Sequence, residues 1–121
     1  VGLEAGISMD SLVMDPHSHT TLAFVKTAEN GDRDFSFYRD SGADTLLVPD
    51  EVPEDVIAGA RIFHFGSLSL TGEPVRSTTQ KAVALARAAG CILSFDPNLR
   101  PPLWDESGAG QGADPLGPCP V

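Results

Sequence analysis

Three polar side chains of different chemistry lie within five residues of one another, directly after an apolar run. The run at 91–95 ends in Asp96, and Asn98 and Arg100 follow at every second position. A carboxylate, an amide and a guanidinium supply acceptors and donors of hydrogen bonds in one short loop. The alternative is ordinary turn chemistry, in which Asn98 caps a turn and Arg100 pairs with a surface carboxylate. Ligand binding is the more specific hypothesis.

Prolines flank the Asn98-Leu99-Arg100 triplet on both sides. Pro97 precedes it, and Pro101 and Pro102 follow. Because a proline ring fixes its own φ, the side chains between these prolines are held in place at low entropic cost. This restriction favours a binding loop over an unconstrained one.

The elements around this loop predict a βαβ unit over 61–96. Residues 61–66 are typical of a strand, a helix is predicted over Glu73–Ala89, and a second strand runs over 91–96. The helix is recognised by one apolar stripe at helical spacing and by Gly90 as its stop. The stripe consists of Val75, Thr79, Ala82, Val83 and Ala86.

Parallel strands joined by a right-handed crossover end at the same edge of a sheet. The loops Gly66-Ser67-Leu68-Ser69 and 96–100 should therefore emerge side by side. Open α/β sheets bind ligands outside the carboxyl ends of their strands. The sequence therefore predicts an α/β fold whose site lies at this edge. A short helix over 52–60, with Pro53 in its first turn, is predicted to precede it.

A β-hairpin is predicted over residues 20–39. Asn30-Gly31 between two alternating runs is typical of a two-residue type I′ turn. That turn pairs Phe24 with Phe37 and Leu22 with Arg39. It thereby places an arginine beside an aromatic row, on a face that suits closure over something polar. The alternative is an exposed edge arginine.

Composition limits the kinds of partner. The chain has 121 residues, a net charge of −9 and 41% hydrophobic residues, which suits one soluble domain. It has no basic run for nucleic acid, no apolar segment long enough to cross a bilayer, and no secretory signal within residues 1–20. Its first residue is Val1, which hints at a partial sequence. Two cysteines, Cys91 and Cys119, suggest no disulfide framework and predict a reducing cytoplasm.

Other candidate motifs are interpreted as structural. His17 and His19 are expected to lie in a loop rather than to bind a metal, and His64 to be a hydrogen-bonded core histidine. The glycine-rich stretch 108–112 has no helix to open onto, so it does not suit a phosphate cradle. Residues 105–121 are rich in glycine and proline and are expected to be disordered.

The stretch Phe95-Asp96-Pro97-Asn98-Leu99-Arg100 with Pro101-Pro102-Leu103-Trp104 resembles the PfkB (ribokinase-like) sugar kinases, and within them the fructokinases. The segments 20–25, 35–39 and 63–69 resemble the same family in the same order. The resemblance covers residues 1–104, which would form a partial PfkB domain. It implies a three-layer α/β fold in which the hairpin at 20–39 belongs to a sugar lid.

Such kinases transfer the γ-phosphate of ATP to a sugar hydroxyl with Mg²⁺. The resemblance implies that Phe37 and Arg39 lie against the sugar, that Arg100 reaches the sugar or the phosphoryl group, and that Asn98 lines the same cleft. An arginine suits this chemistry because phosphoryl transfer needs positioning and charge stabilisation. A homodimer formed through the lid is implied as well.

Two departures from the family pattern bear on activity. The N-terminal Gly-Gly segment and the C-terminal Gly-Ala-Gly-Asp motif, which carries the catalytic base, do not occur. We expect the chain alone to lack the base, to be inactive, and to bind neither ATP nor Mg²⁺ tightly. A frameshift or premature end near Asp105 would produce the change in composition there.

Three functions remain open at this stage. The first is part of a fructokinase. The second is part of a 2-keto-3-deoxygluconate kinase, whose substrate carboxylate paired arginines would suit. The third is a non-catalytic α/β module that binds a sugar or a nucleotide.

Overall fold

The computed structural model describes residue 2, residues 4–99 and residues 103–104. Within them the chain forms two pairs of strands and two α-helices. In chain order these elements are β1 (Leu22–Thr27), β2 (Arg33–Tyr38), α1 (Glu54–Ala58), β3 (Ile62–Gly66), α2 (Val75–Ala88) and β4 (Ile92–Asp96). The predicted tail at 105–121 lies outside the described residues. None of the described helices is long and apolar enough to cross a membrane.

The predicted βαβ unit is confirmed. β3 and β4 pair in parallel, with Ile62 opposite Ile92 and Gly66 opposite Asp96. All five residues of the predicted stripe on α2 are buried. Gly90 follows the helix with φ +78°, a left-handed conformation that glycine adopts without steric cost. The carboxyl ends of both strands therefore meet at one edge of this sheet.

The core lies between α1, α2 and one face of the β3–β4 sheet. Val52, Ile57, Ala82 and Ala86 form a buried cluster, and Phe63 and Leu93 of the sheet pack against it. Helix α1 is shorter than the predicted 52–60, and a 3-10 turn at Pro49–Glu51 precedes it. This packing fixes the sheet edge on which the predicted site depends.

The opposite face of the β3–β4 sheet is not covered by the described residues. It carries Ile62 and Ile92, which are both largely exposed. His64 lies on this face and hydrogen-bonds Ser94 Oγ at 3.0 Å. The prediction that His64 is hydrogen-bonded is thus confirmed, but the prediction that it is a core residue is wrong. Alternation along the strand places His64 opposite the helix-covered side.

The hairpin is confirmed, but its predicted register is wrong by one residue. Phe37 lies opposite Ala23 rather than Phe24, and Leu22 lies opposite Tyr38. The loop has three residues, because Ala28 N–H donates to the carbonyl oxygen of Asp32 at 2.9 Å.

Two local interactions select this longer loop. Gly31 adopts φ +87°, as expected at the last position of a three-residue hairpin loop. The Asn30 side chain bonds Asp32 twice, through its backbone N–H at 3.1 Å and its carboxylate at 2.7 Å. A type I′ turn would instead require positive φ at Asn30 as well. Because a one-residue shift exchanges the faces, Leu22 and Phe24 leave the face of Phe35 and Phe37.

Candidate functional site

A cleft of about 240 Å³ lies at the carboxyl edge of the β3–β4 sheet. It is lined by His64, Gly66, Ser67, Leu68, Ser69, Asp96 and Asn98. The structure therefore brings together the two loops that the sequence predicts to be neighbours. Whole ligand pockets usually enclose about 300–1,000 Å³, so this volume suits part of a site.

Asp96 and Asn98 shape one side of the cleft. Asn98 N–H donates to Asp96 Oδ1 at 3.0 Å, which closes a turn of the kind that aspartate favours after a strand. The carboxylate thereby keeps one oxygen for other partners. Arg100, the third polar residue predicted here, lies outside the described residues. Its role stays a prediction.

The turn that forms the other side of the cleft, Ser67–Leu70, is braced by side-chain hydroxyls. Ser69 Oγ donates to the Gly66 carbonyl at 3.0 Å, and Thr71 Oγ1 donates to the Leu68 carbonyl at 2.9 Å. From α2, Thr79 Oγ1 donates to the Ser69 carbonyl at 3.2 Å. A turn held at both ends presents its lining atoms in a fixed arrangement.

Arg39 lies at the base of the hairpin and reaches this turn. Its Nη2 donates to the Leu68 carbonyl at 2.9 Å and its Nη1 to Thr71 Oγ1 at 2.7 Å. Its Nε donates to Asp44 Oδ2 at 2.8 Å, and Nη2 lies 2.8 Å from the same oxygen in an ion pair. The side chain is only 10% exposed. Arg39 thus links the hairpin to a residue that lines the cleft.

Asp44 completes this link, although no pattern in the sequence pointed to it. It lies in a 3-10 turn at Ala43–Thr45, and its second oxygen accepts a hydrogen bond from Thr21 Oγ1. Gly42 permits the approach, because a Cβ there would overlap both Thr21 and Asp44. Asp44 therefore holds the start of β1 and the residue after β2 together. The sequence feature that could have identified Asp44 is its position just after Gly42 and five residues after Arg39.

Phe37 lies half-buried on the hairpin face that it shares with Phe35, and the two rings stack 6.2 Å apart. This aromatic pair therefore lies on β2, the strand that Arg39 directly follows. A contact between Phe37 and a sugar stays a prediction.

His19 lies beside the hairpin base with both ring nitrogens on backbone carbonyls. Nδ1 lies 3.0 Å from the carbonyl of Thr20, and Nε2 lies 2.8 Å from that of Asp40. The ring stacks on Tyr38 at 4.8 Å. The Thr20 and Asp40 carbonyls raise the pKa of His19, and the Asp40 and Asp44 carboxylates add to the rise. The described residues contain no cluster of three or more side chains able to hold a metal ion.

The fold and the cleft define a class of protein: an α/β protein with a cleft at the carboxyl ends of parallel strands, the place where open α/β sheets bind ligands. A model of the pfkB family of carbohydrate kinases matches residues 3–116. The chain belongs to this family.

Named relatives and solved structures agree with this assignment. The chain is 50% identical over 99 residues to a probable fructokinase-4 of Arabidopsis thaliana and to a fructokinase of Solanum tuberosum. The alignments cover 82% of this chain but only 30% and 31% of those relatives. A crystal structure of fructokinase from Xylella fastidiosa matches with a TM-score of 0.79 and 39% identity, over 88% of this chain and 34% of that one. The same fructokinase with bound ATP matches with a TM-score of 0.78.

Proposed function

We propose that this chain supplies part of an ATP-dependent sugar kinase whose acceptor is fructose. The observation that carries the proposal is the cleft at the carboxyl edge of the sheet, formed by a segment half identical to proteins named fructokinases. ATP as phosphate donor is supported by the ATP-bound fructokinase of similar fold.

The state of Arg39 favours a neutral sugar over a sugar acid. Three of its five N–H groups donate to partners among the described residues, and Asp44 balances its charge. A guanidinium already paired with a carboxylate is a poor receptor for a second one. This pairing supports fructose over 2-keto-3-deoxygluconate.

One side chain of the cleft could serve as a ligand of Mg²⁺. Asp96 is the carboxylate among the described lining residues, and Mg²⁺ is commonly bound by one or two carboxylates together with nucleotide phosphates. Asp96 would hold the ion, which would neutralise charge on the phosphates. Because the sequence contains no Gly-Ala-Gly-Asp motif, we expect the chain alone to bind sugar without phosphorylating it.

The test is a titration of the full 121-residue chain, followed by amide chemical shifts. Fructose is expected to shift the amides of Gly66–Ser69 and of Asp96 and Asn98, and 2-keto-3-deoxygluconate to shift them less. Arg39→Lys, which cannot reproduce the fork of three donors, should weaken fructose binding roughly tenfold. Arg33→Lys changes an exposed arginine of β2 and is the matched control.

Three outcomes decide between the functions. Tighter binding of 2-keto-3-deoxygluconate would replace fructose as the substrate. Phosphorylation of fructose by the purified chain, measured as ADP release, would overturn the expectation of inactivity. Unchanged affinity and specificity in Arg100→Ala would remove Arg100 from the proposed site.

Two further features of the intact kinase are part of the proposal. A homodimer through the hairpin is supported by its exposed apolar side chains, since Leu22, Phe24 and Tyr38 are each at least half exposed. Sedimentation equilibrium tests it. A reducing cytoplasm is supported by Cys91, a free thiol that donates to the Ala60 carbonyl at 3.1 Å.

A further inference from the structure

Ser67 is an exception within the braced turn. It is 4% exposed, and its hydroxyl is buried without a hydrogen-bond partner among the described residues. Buried hydroxyls are normally satisfied, and an unsatisfied one costs free energy in the ligand-free protein. Ser69, two residues along the same turn, shows the normal condition, because its hydroxyl donates to the Gly66 carbonyl.

The position of Ser67 suggests why the protein retains an unsatisfied hydroxyl. Ser67 is one of the residues that line the cleft, directly after Gly66 at the end of β3. A serine side chain turns between three staggered rotamers, so a ligand in the cleft can recruit a hydroxyl that is otherwise unpaired. An alanine would pack in the same place without any polar atom to satisfy.

The charge of the cleft indicates which ligand this hydroxyl would meet. Among the described lining residues, Asp96 has a carboxylate and none is a lysine or an arginine. An anionic group without a bridging cation would be repelled by Asp96, whereas a neutral hydroxyl can donate to the carboxylate and exchange a hydrogen bond with serine. The chemistry therefore fits a ligand with several neutral hydroxyl groups.

We propose that Ser67 is a sugar-binding residue, whose unpaired hydroxyl accepts or donates a hydrogen bond to a hydroxyl of the bound sugar. This inference deepens the proposed function and rests on it for the identity of the sugar. The predicted effect on stability does not depend on the identity of the sugar, because the unpaired hydroxyl destabilises the chain without any ligand.

The experiment compares Ser67→Ala with Ser69→Ala in the full chain. In urea unfolding without ligand, Ser67→Ala is expected to raise the midpoint, because it removes an unsatisfied group. Ser69→Ala is expected to lower it, because it removes a made hydrogen bond. In titrations with fructose, Ser67→Ala is expected to bind roughly tenfold more weakly.

The two proposals fail separately. A lower or unchanged urea midpoint in Ser67→Ala would overturn the assignment of Ser67, whatever sugar binds. A higher midpoint with unchanged sugar affinity would also overturn it. If glucose or ribose shifts the turn amides through Ser67 while fructose does not, the substrate proposal fails and Ser67 stands. If none of the three sugars shifts them, both fail.

Discussion

The βαβ unit and the hairpin differ in how their side chains are buried. Among the described residues, the eight buried hydrophobic residues all lie between Val52 and Ala86, in or next to the βαβ unit. In the hairpin, by contrast, all six residues of β1 are exposed. Burial of one face specifies the register of a strand, whereas a strand exposed on both faces relies on its turn. The strands of the core should therefore keep their register when their loops are changed, whereas the register of the hairpin should depend on its loop.

The largest expected effect is a contrast between two phenylalanines, one in each region. Phe65 is 8% exposed and packs on Phe95 with ring centroids 4.9 Å apart, whereas Phe24 is 61% exposed. Phe65→Ala is expected to lower the free energy of unfolding by about 3–5 kcal/mol. Phe24→Ala is expected to change it by less than about 0.5 kcal/mol. Urea unfolding followed by circular dichroism measures both.

Equal losses of unfolding free energy in Phe65→Ala and Phe24→Ala would contradict this difference between the βαβ unit and the hairpin. They would show that the outer face of the hairpin is covered in solution. In that case the effect of Phe24→Ala should grow with protein concentration, as expected if a second copy covers it.

A smaller effect tests the positive φ of the hairpin loop. Gly31 has φ +87° and open space where a Cβ would lie, whereas Gly72 has equally open space and an ordinary φ. Gly31→Ala should therefore cost about 1–2 kcal/mol from backbone strain alone. Gly72→Ala should be neutral or slightly stabilising, because alanine restricts the unfolded chain.

The register itself is measured by contacts between strands. Nuclear Overhauser effects from Phe37 to Ala23 are expected, and effects from Phe37 to Phe24 across the strands would restore the two-residue turn. The two glycine variants report only the positive φ at Gly31, which both loop types require.

The parts of the fold that the sequence predicted are those with a strong periodic signal. The stripe from Val75 to Ala86 has helical spacing over three turns, and its burial against the sheet follows from that spacing. The predicted hairpin register was wrong because Asn-Gly suits two loop lengths. The choice was made by Asn30 bonding Asp32, a side-chain interaction that turn statistics do not contain.

The candidate site was predictable in position but not in detail. The topology of β3 and β4 brings Gly66 and Asp96 to one edge, so the cleft followed from the predicted unit. The partners of Arg39 did not follow, because Leu68 and Thr71 lie about thirty residues away in sequence. Nor could the unpaired hydroxyl of Ser67 be predicted, since satisfaction of a polar group depends on three-dimensional packing.

The smallest expected effect is a pH dependence confined to the hairpin base. Both ring nitrogens of His19 face carbonyl oxygens, and only the protonated ring can donate to both. Because folding raises the pKa of His19, its contribution is fully present below the ordinary histidine pKa of about 6.5. It is lost as pH rises through the raised value.

Amide exchange at Ala43 provides a direct measurement, because its N–H donates to the His19 carbonyl at 2.9 Å. Exchange corrected for its intrinsic pH dependence is expected to accelerate as pH rises through the titration of the His19 ring, followed by its ring C–H signals. Exchange at Cys91, whose N–H donates to the Ala86 carbonyl in the βαβ unit, should show no such step. His19→Gln should abolish the step at Ala43 and His17→Gln should retain it. A step that survives in His19→Gln would remove His19 as the cause of the pH dependence and would leave it a purely stacking partner of Tyr38.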